Sequence, residues 1–260
     1  MILFDTHTHL FAEQFAADRN LIVDNAIRSG VKYMVLPGID SSYLSEQLKM
    51  SEYFPENCFL GIGLHPSNVK EDFEKELQIV ANSLNNNNVV AIGETGIDLY
   101  WDKTNLKNQT LSFEYQIELA IKNDLPIVIH VREAFEETLK IVEKHNCKEL
   151  TGVFHSFTGD SQIAERIISL GGFMFGINGI VTYKNSELPK VLVGIPKEKI
   201  ILETDSPWLP PVPHRGKRNE SEYLIHIAEK VASVYNIPIQ EIAEITTGNA
   251  LKLFKKINKN

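Results

Sequence analysis

The chain has 260 residues, 43% of them apolar and 23% charged, with a net charge of −8. That balance suits a globular protein and excludes disordered, collagen-like and disulfide-scaffold chains. No apolar run approaches the roughly 18 residues a membrane span needs, and the negative charge disfavours non-specific nucleic-acid binding over the whole surface.

A short β-branched run followed by a longer stretch of helical period recurs along the chain. The strand Ile2–Phe4 leads to a helix over Asp18–Ser29, Tyr33–Leu36 to Ser41–Tyr53, and Phe59–Leu64 to Phe73–Leu84. Val89–Ile92 leads to Asn108–Lys122, Pro126–Ile129 to Glu133–His145, and Gly152–Phe154 to Asp160–Ser169. Phe173–Gly176 precedes a shorter helix, Glu187–Val193, and Ile200–Leu202 precedes Glu220–Asn236 and Ile239–Phe254. Most of the short runs are apolar throughout, as parallel strands buried on both faces are. Eight units share 260 residues, about 32 each, which predicts an α/β fold of the (β/α)8 TIM-barrel type. An open doubly wound sheet is the rival, but no Gly-x-Gly-x-x-Gly follows the first strand to support a dinucleotide site. No linker rich in Pro, Gly or Ser interrupts the pattern, so residues 1–260 are expected to form one domain. Two cysteines, Cys58 and Cys147, point to a reducing, cytoplasmic setting, and no signal peptide is expected at the N-terminus.

A barrel places its chemistry at the C-terminal ends of its strands. His7 and His9 follow the first run, His65 the third, Glu94 and Asp98 the fourth. His130 and Arg132 follow the fifth, His155 the sixth, and Glu203 and Asp205 the eighth. His7 and His9 stand two apart on an extended segment, so both rings can reach one ion. A single histidine at a strand end is usually a hydrogen-bonded core residue, and a single carboxylate there is often a salt bridge or a cap. Six such residues on one rim, His7, His9, Glu94, His130, His155 and Asp205, point instead to a shared metal centre. Imidazoles with carboxylates suit Zn2+ or Mn2+, with Ni2+, Co2+ and Mg2+ also possible. Six side chains exceed the usual ligand set of one catalytic ion, so two ions bridged by a carboxylate are expected. Two divalent ions facing Glu94, Asp205 and a hydroxide leave about one net positive charge, a match for a phosphate diester.

These segments resemble the TatD-type branch of the metal-dependent hydrolases over nearly the whole chain. The resemblance rests on Phe4-Asp5-Thr6-His7-Thr8-His9-Leu10, Gly61-Ile62-Gly63-Leu64-His65-Pro66, Ile92-Gly93-Glu94-Thr95-Gly96-Ile97-Asp98, Pro126-Ile127-Val128-Ile129-His130-Val131-Arg132, Val153-Phe154-His155-Ser156-Phe157-Thr158-Gly159 and Leu202-Glu203-Thr204-Asp205-Ser206-Pro207. It implies a (β/α)8 barrel, two divalent ions and nuclease activity on DNA, often exonucleolytic. It also implies that His7, His9 and Asp205 hold the first ion and His130 and His155 the second, with Glu94 bridging. Asp205 and Glu94 are thus the expected catalytic residues. The expected partner is nucleic acid, DNA with single-stranded ends, with no membrane involved and the protein a monomer. The loop Pro210–Glu220 also resembles the family's loop after the last strand, and its Arg215, Lys217 and Arg218 form a dense basic cluster suited to phosphates. His65 and Arg132 are further candidate substrate contacts, and Tyr100-Trp101 could stack a base. Ser221 stands where proline is common in the family and Ser156 where cysteine is usual. Two other functions share the same residues: an amidohydrolase acting on a C–N bond or small ester, and a non-catalytic barrel with structural ions.

Overall fold

The protein is described here by a computed structural model over residues 1–259. Eight parallel strands form one sheet in chain order: β1 (Leu3–Asp5), β2 (Val31–Leu36), β3 (Cys58–Ile62), β4 (Val89–Asp98), β5 (Ile127–Arg132), β6 (Gly152–Phe154), β7 (Phe173–Ile177) and β8 (Ile200–Leu202). Each strand hydrogen-bonds to the next, and the ring is drawn together where Thr6 N–H donates to the Leu202 carbonyl at 3.0 Å. Just above, Asp205 N–H donates to the His7 carbonyl at 2.9 Å. Helices α1 (Arg19–Arg28), α2 (Ser41–Tyr53), α3 (Phe73–Ser83), α4 (Leu106–Lys122), α5 (Phe135–His145), α6 (Ser161–Ser169), α7 (Leu188–Leu192) and α8 (Leu224–Tyr235) follow the strands in turn, and α9 (Ile239–Leu253) ends the series. This is the (β/α)8 barrel that the alternation predicts.

The uniformly apolar strands divide their side chains between two cores. Phe4, Val35, Phe59, Ala91, Val128, Val153 and Ile201 form one cluster with Phe254, inside the ring. Their neighbours Leu3, Met34, Leu36, Leu60, Ile127, Ile129 and Ile200 face outward onto the helices. Period-two alternation therefore buries both faces of most strands, with Lys32 near the start of β2 and Arg132 at the end of β5 reaching solvent. The helices bury one stripe each. Along α8 it is Leu224, Ile227, Ala228, Val231 and Ala232, the three- and four-residue spacing of a helix face. Asp40 and Asp160 start α2 and α6 by accepting from the Ser42 and Ile163 N–H groups at 2.9 Å. Helix α9 closes the N-terminal end: Thr247 donates to the Ile2 carbonyl at 3.1 Å and Asn249 to Lys197 and Ile200 at 2.9 Å.

Several boundaries differ from the sequence reading. β4 and β5 go on pairing beyond their apolar runs, Gly96 opposite His130 and Asp98 opposite Arg132. Glu94, Asp98, His130 and Arg132 are thus strand residues, not residues of the following loop. The helix expected from Glu133 begins at Phe135, because Glu133 has φ 52° and a left-handed residue cannot continue a right-handed helix. The helix expected from Glu220 begins at Leu224, after a short 3-10 turn over Ser221–Tyr223.

Candidate metal centre

The strand ends deliver the polar residues by register. His130 and His155 each stand two residues beyond an interior valine, Val128 and Val153, so both rings project into the mouth of the ring. Gly93 lets β4 bend inward at Glu94: its φ is 134°, and a Cβ there would sit 2.6 Å from the Val128 carbonyl. Ser156 and Asp205 are left-handed too, at φ 49° and 57°, so the chain turns sharply right at the residues that line the site.

Glu94 is the hub. Its side chain is 3% exposed, and its two oxygens face different groups of histidines. Oε2 lies 3.1 Å from His7 Nε2 and 3.8 Å from His9 Nε2. Asp205 Oδ1 stands 3.7 and 3.5 Å from the same two nitrogens, which are 3.1 Å apart. Oε1 lies 2.7 Å from His130 Nδ1, 3.3 Å from His65 Nε2 and 3.8 Å from His155 Nε2. His155 Nε2 is also 3.8 Å from Asp205 Oδ1, and its ring stacks on His7 at 3.5 Å. All six expected ligands therefore converge, and His65, expected as a substrate contact, joins Glu94 and His130 in a set with metal-ligand spacing.

Two acids that had no role assigned from the sequence stand behind the histidines. Asp98 Oδ2 is 3.1 Å from His130 Nε2, so the ring is held with Nδ1 toward Glu94. Glu203 Oε1 is 3.0 Å from His155 Nδ1, out of line for a good hydrogen bond, and accepts from Ser156 N–H at 2.6 Å. Gly176 leaves the room that the Glu203 carboxylate occupies, since a Cβ there would overlap it. A carboxylate on the far nitrogen of an imidazole is the arrangement that fixes the tautomer of a metal-binding histidine. The sequence placed both at strand ends, Asp98 four residues after Glu94 and Glu203 two before Asp205, but not against their histidines. Asp5 was missed altogether. It is fully buried and ties β1 to the segment after β8, accepting from Thr204 N–H at 2.8 Å and Thr204 Oγ1 at 2.6 Å.

The electrostatics follow from the crowding. Burial alone would raise the Glu94 carboxyl, but His65, His7, His155 and the His130 bond outweigh it and hold it well below the usual range. Burial opposes the charged form of His155, yet Glu203, Glu94 and Asp205 raise it to about 10. His130 is likewise raised against its burial, by Asp98 and Glu94, whereas His7 and His65 are lowered, chiefly by burial. Asp5 is pushed up to about 7 by burial. Without an ion, protons hold this cluster of acids and imidazoles together. Imidazole nitrogens and carboxylate oxygens crowded within ligand reach of one another fit divalent cations such as Zn2+ or Mn2+.

The cluster floors a cavity of about 640 Å3, lined also by Arg132, Trp101 and Trp208. Arg132 stacks on Tyr100 at 3.8 Å, so Tyr100 serves as a platform for the guanidinium. Trp101 is 70% exposed at the rim, and Trp208 packs edge-on against His9 at 4.8 Å. Arg215 stacks on Tyr183 at 3.8 Å in the loop after β8, and Lys217 is exposed nearby. Arg218 does not join them in a free basic cluster. It donates to Asp18 at 2.7 and 3.0 Å and to Glu220 at 3.0 Å, because it fastens the loop to the start of α1. Ser221 places its hydroxyl 3.1 Å from Thr8 Oγ1 in a buried contact, and the half-buried Ser156 accepts from Asn178 Nδ2 at 2.7 Å. Among the described residues no helix is long and apolar enough to cross a membrane.

The family described as TatD-related DNase matches residues 4–255. The chain is 37% identical to the uncharacterized metal-dependent hydrolase YabD of Bacillus subtilis over 98% of this chain and 99% of that protein. It is 33% identical to the uncharacterized metal-dependent hydrolase YcfH of Escherichia coli over 98% and 96%. The crystal structure of YjjV, a TatD homolog from Escherichia coli, superposes with a TM-score of 0.91 at 28% identity, covering 97% of this chain and 98% of that one.

Proposed function

Because the chain belongs to the TatD-related DNase family and is a metal-dependent hydrolase, we propose that it cleaves phosphodiester bonds in DNA, as an exonuclease on single-stranded ends, with two divalent ions in the barrel mouth. One observation carries this reading: the two oxygens of Glu94 face separate sets of imidazoles, His7 and His9 on one side, His130, His65 and His155 on the other. A carboxylate so placed suits the bridge of a two-ion centre. His7, His9 and Asp205 would hold one ion, and His130 and His155 the other. The distance of 3.3 Å from His65 Nε2 to Glu94 Oε1 favours His65 as a further ligand rather than a phosphate contact.

Such ions lower the pKa of water and neutralise charge on a phosphoryl group; Mg2+, Mn2+, Zn2+, Ni2+ and Co2+ all fit the donors. The residues do the rest. Asp205 orients the attacking water and takes its proton, as a carboxylate kept charged by an adjacent divalent ion can. Asp98 and Glu203 keep the His130 and His155 rings in place. Arg132, fixed on Tyr100, positions the phosphate next to the scissile one, and Arg215 and Lys217 steer the strand beyond it. Trp101 and Trp208 offer faces on which bases of a single strand stack. The attraction for phosphate is local, which reconciles a DNA substrate with a net charge of −8.

The test compares 3′- and 5′-labelled oligonucleotides, bis-(p-nitrophenyl) phosphate and a panel of amides, with chelation and metal add-back. Metal-rescued shortening of single-stranded DNA from one end is expected. Asp205→Asn should stay folded and metal-loaded by elemental analysis yet turn over about 100-fold or more slowly. Unchanged turnover removes Asp205 from this role; cleavage of amides but not of phosphodiesters moves the activity to C–N bonds.

A further inference from the structure

We propose that His214 and His226 form a second divalent-cation site, separate from the barrel mouth, that clips the loop after β8 to helix α8. Neither residue lines the cavity described above. His214 sits in the loop before Arg215, and His226 lies in the first turn of α8. Their Nε2 atoms are 3.2 Å apart. Two imidazole nitrogens bonded to one tetrahedral ion at ordinary zinc–nitrogen lengths stand about 3.3 Å apart, so the rings are already placed as neighbouring ligands.

Both rings are oriented by their surroundings. The Nδ1 of His226 faces Glu229 Oε2 at 3.2 Å; donating there leaves the lone pair on Nε2, the nitrogen turned toward His214. His214 lies flat on Tyr223, 3.7 Å between centroids and 6° between planes, which fixes its ring. Partial burial and the neighbouring His226 keep His214 toward its neutral form, the one that binds metal. In the metal-free protein one ring donates its Nε2 proton to the other; on binding, that proton moves to Nδ1 of the same ring and both lone pairs meet the ion. Water completes the coordination on this partly exposed surface. Two imidazoles without a carboxylate ligand select Zn2+, Ni2+ or Cu2+ and reject Mg2+ and Mn2+. Occupancy stiffens the segment that carries Arg215 and Lys217.

The experiment is a Zn2+ titration against a chromophoric chelator, with excess Mn2+ present, on wild type, Glu94→Ala, His226→Gln, the two combined, and Glu229→Gln. Glu94→Ala weakens the mouth without touching this pair, so the Zn2+ it retains should fall by one per chain when His226→Gln is added to it. His226→Gln should lose that ion, and Glu229→Gln, which keeps both rings, should bind it about 10-fold more weakly. Circular dichroism checks that each variant is folded; both helix positions are partly exposed, and α8 keeps its buried stripe. Equal Zn2+ stoichiometry and affinity in wild type and His226→Gln overturn the proposal, as does loss of all Mn2+-resistant Zn2+ in Glu94→Ala.

Discussion

At the scale of single residues, the centre is an assembly of acids and bases that satisfy each other until an ion replaces the protons. His155, raised to about 10, is protonated in the metal-free protein at neutral pH, and His130 is shifted in the same direction by Asp98 and Glu94. Metal binding must expel the His155 proton, so affinity rises with pH through this range. Calorimetry of Zn2+ binding at pH 7 in buffers of different ionisation enthalpy should show release of at least about one proton, that of His155; no release would contradict it. In the metal-free protein the sign is reversed. A raised pKa means that His155 stabilises the fold fully below 6.5 and loses that contribution as the pH climbs through about 10. Asp98 tests the outer layer. Asp98→Asn keeps the shape but gives up the negative partner of His130, and a 10- to 100-fold loss of affinity for one ion is expected, read by elemental stoichiometry under competition. Equal affinity would leave Asp98 a structural residue of β4 only.

At the scale of elements, the strand ends are legible and the loops are not. His130 and His155 are readable because an apolar strand with interior Val128 or Val153 must aim position i+2 at the same face. The Asp98–His130 pair is not readable, since it needs β4 to continue past its bend and meet β5 in register. The basic loop misleads for a similar reason: the charge of Arg218 suggests phosphate, but its partner Asp18 lies 200 residues away in sequence. Caps are local and therefore predictable. Asp160→Ala removes the bond to Ile163 N–H and should cost about 1 kcal/mol, lowering the melting temperature by about 2–4 °C with turnover unchanged.

At the scale of the whole molecule, stability and chemistry occupy opposite ends of the barrel. Phe254 is fully buried, packs 5.7 Å from Phe4 and fills the interior from the end that α9 closes. Phe254→Ala should cost about 3–5 kcal/mol in denaturant unfolding while leaving metal affinity at the mouth intact. A matching loss of metal affinity would show that the two ends are coupled. This separation lets the mouth carry a dense set of buried charges, because the hydrophobic interior and the outer helix layer supply the folding free energy that such a cluster does not.

Alternating apolar runs and helical periods, with histidines and acids at the strand ends, determined the barrel and six of the residues that converge at its mouth, because both depend on local spacing along the chain. The tertiary structure alone decided how the members divide: which oxygen of Glu94 meets which imidazole, that His65 joins the cluster, that Asp98 and Glu203 stand behind it, and that Arg218 is spent on an ion pair. Those are contacts between strands and loops far apart in sequence, and only closure of the ring brings them within a few ångströms.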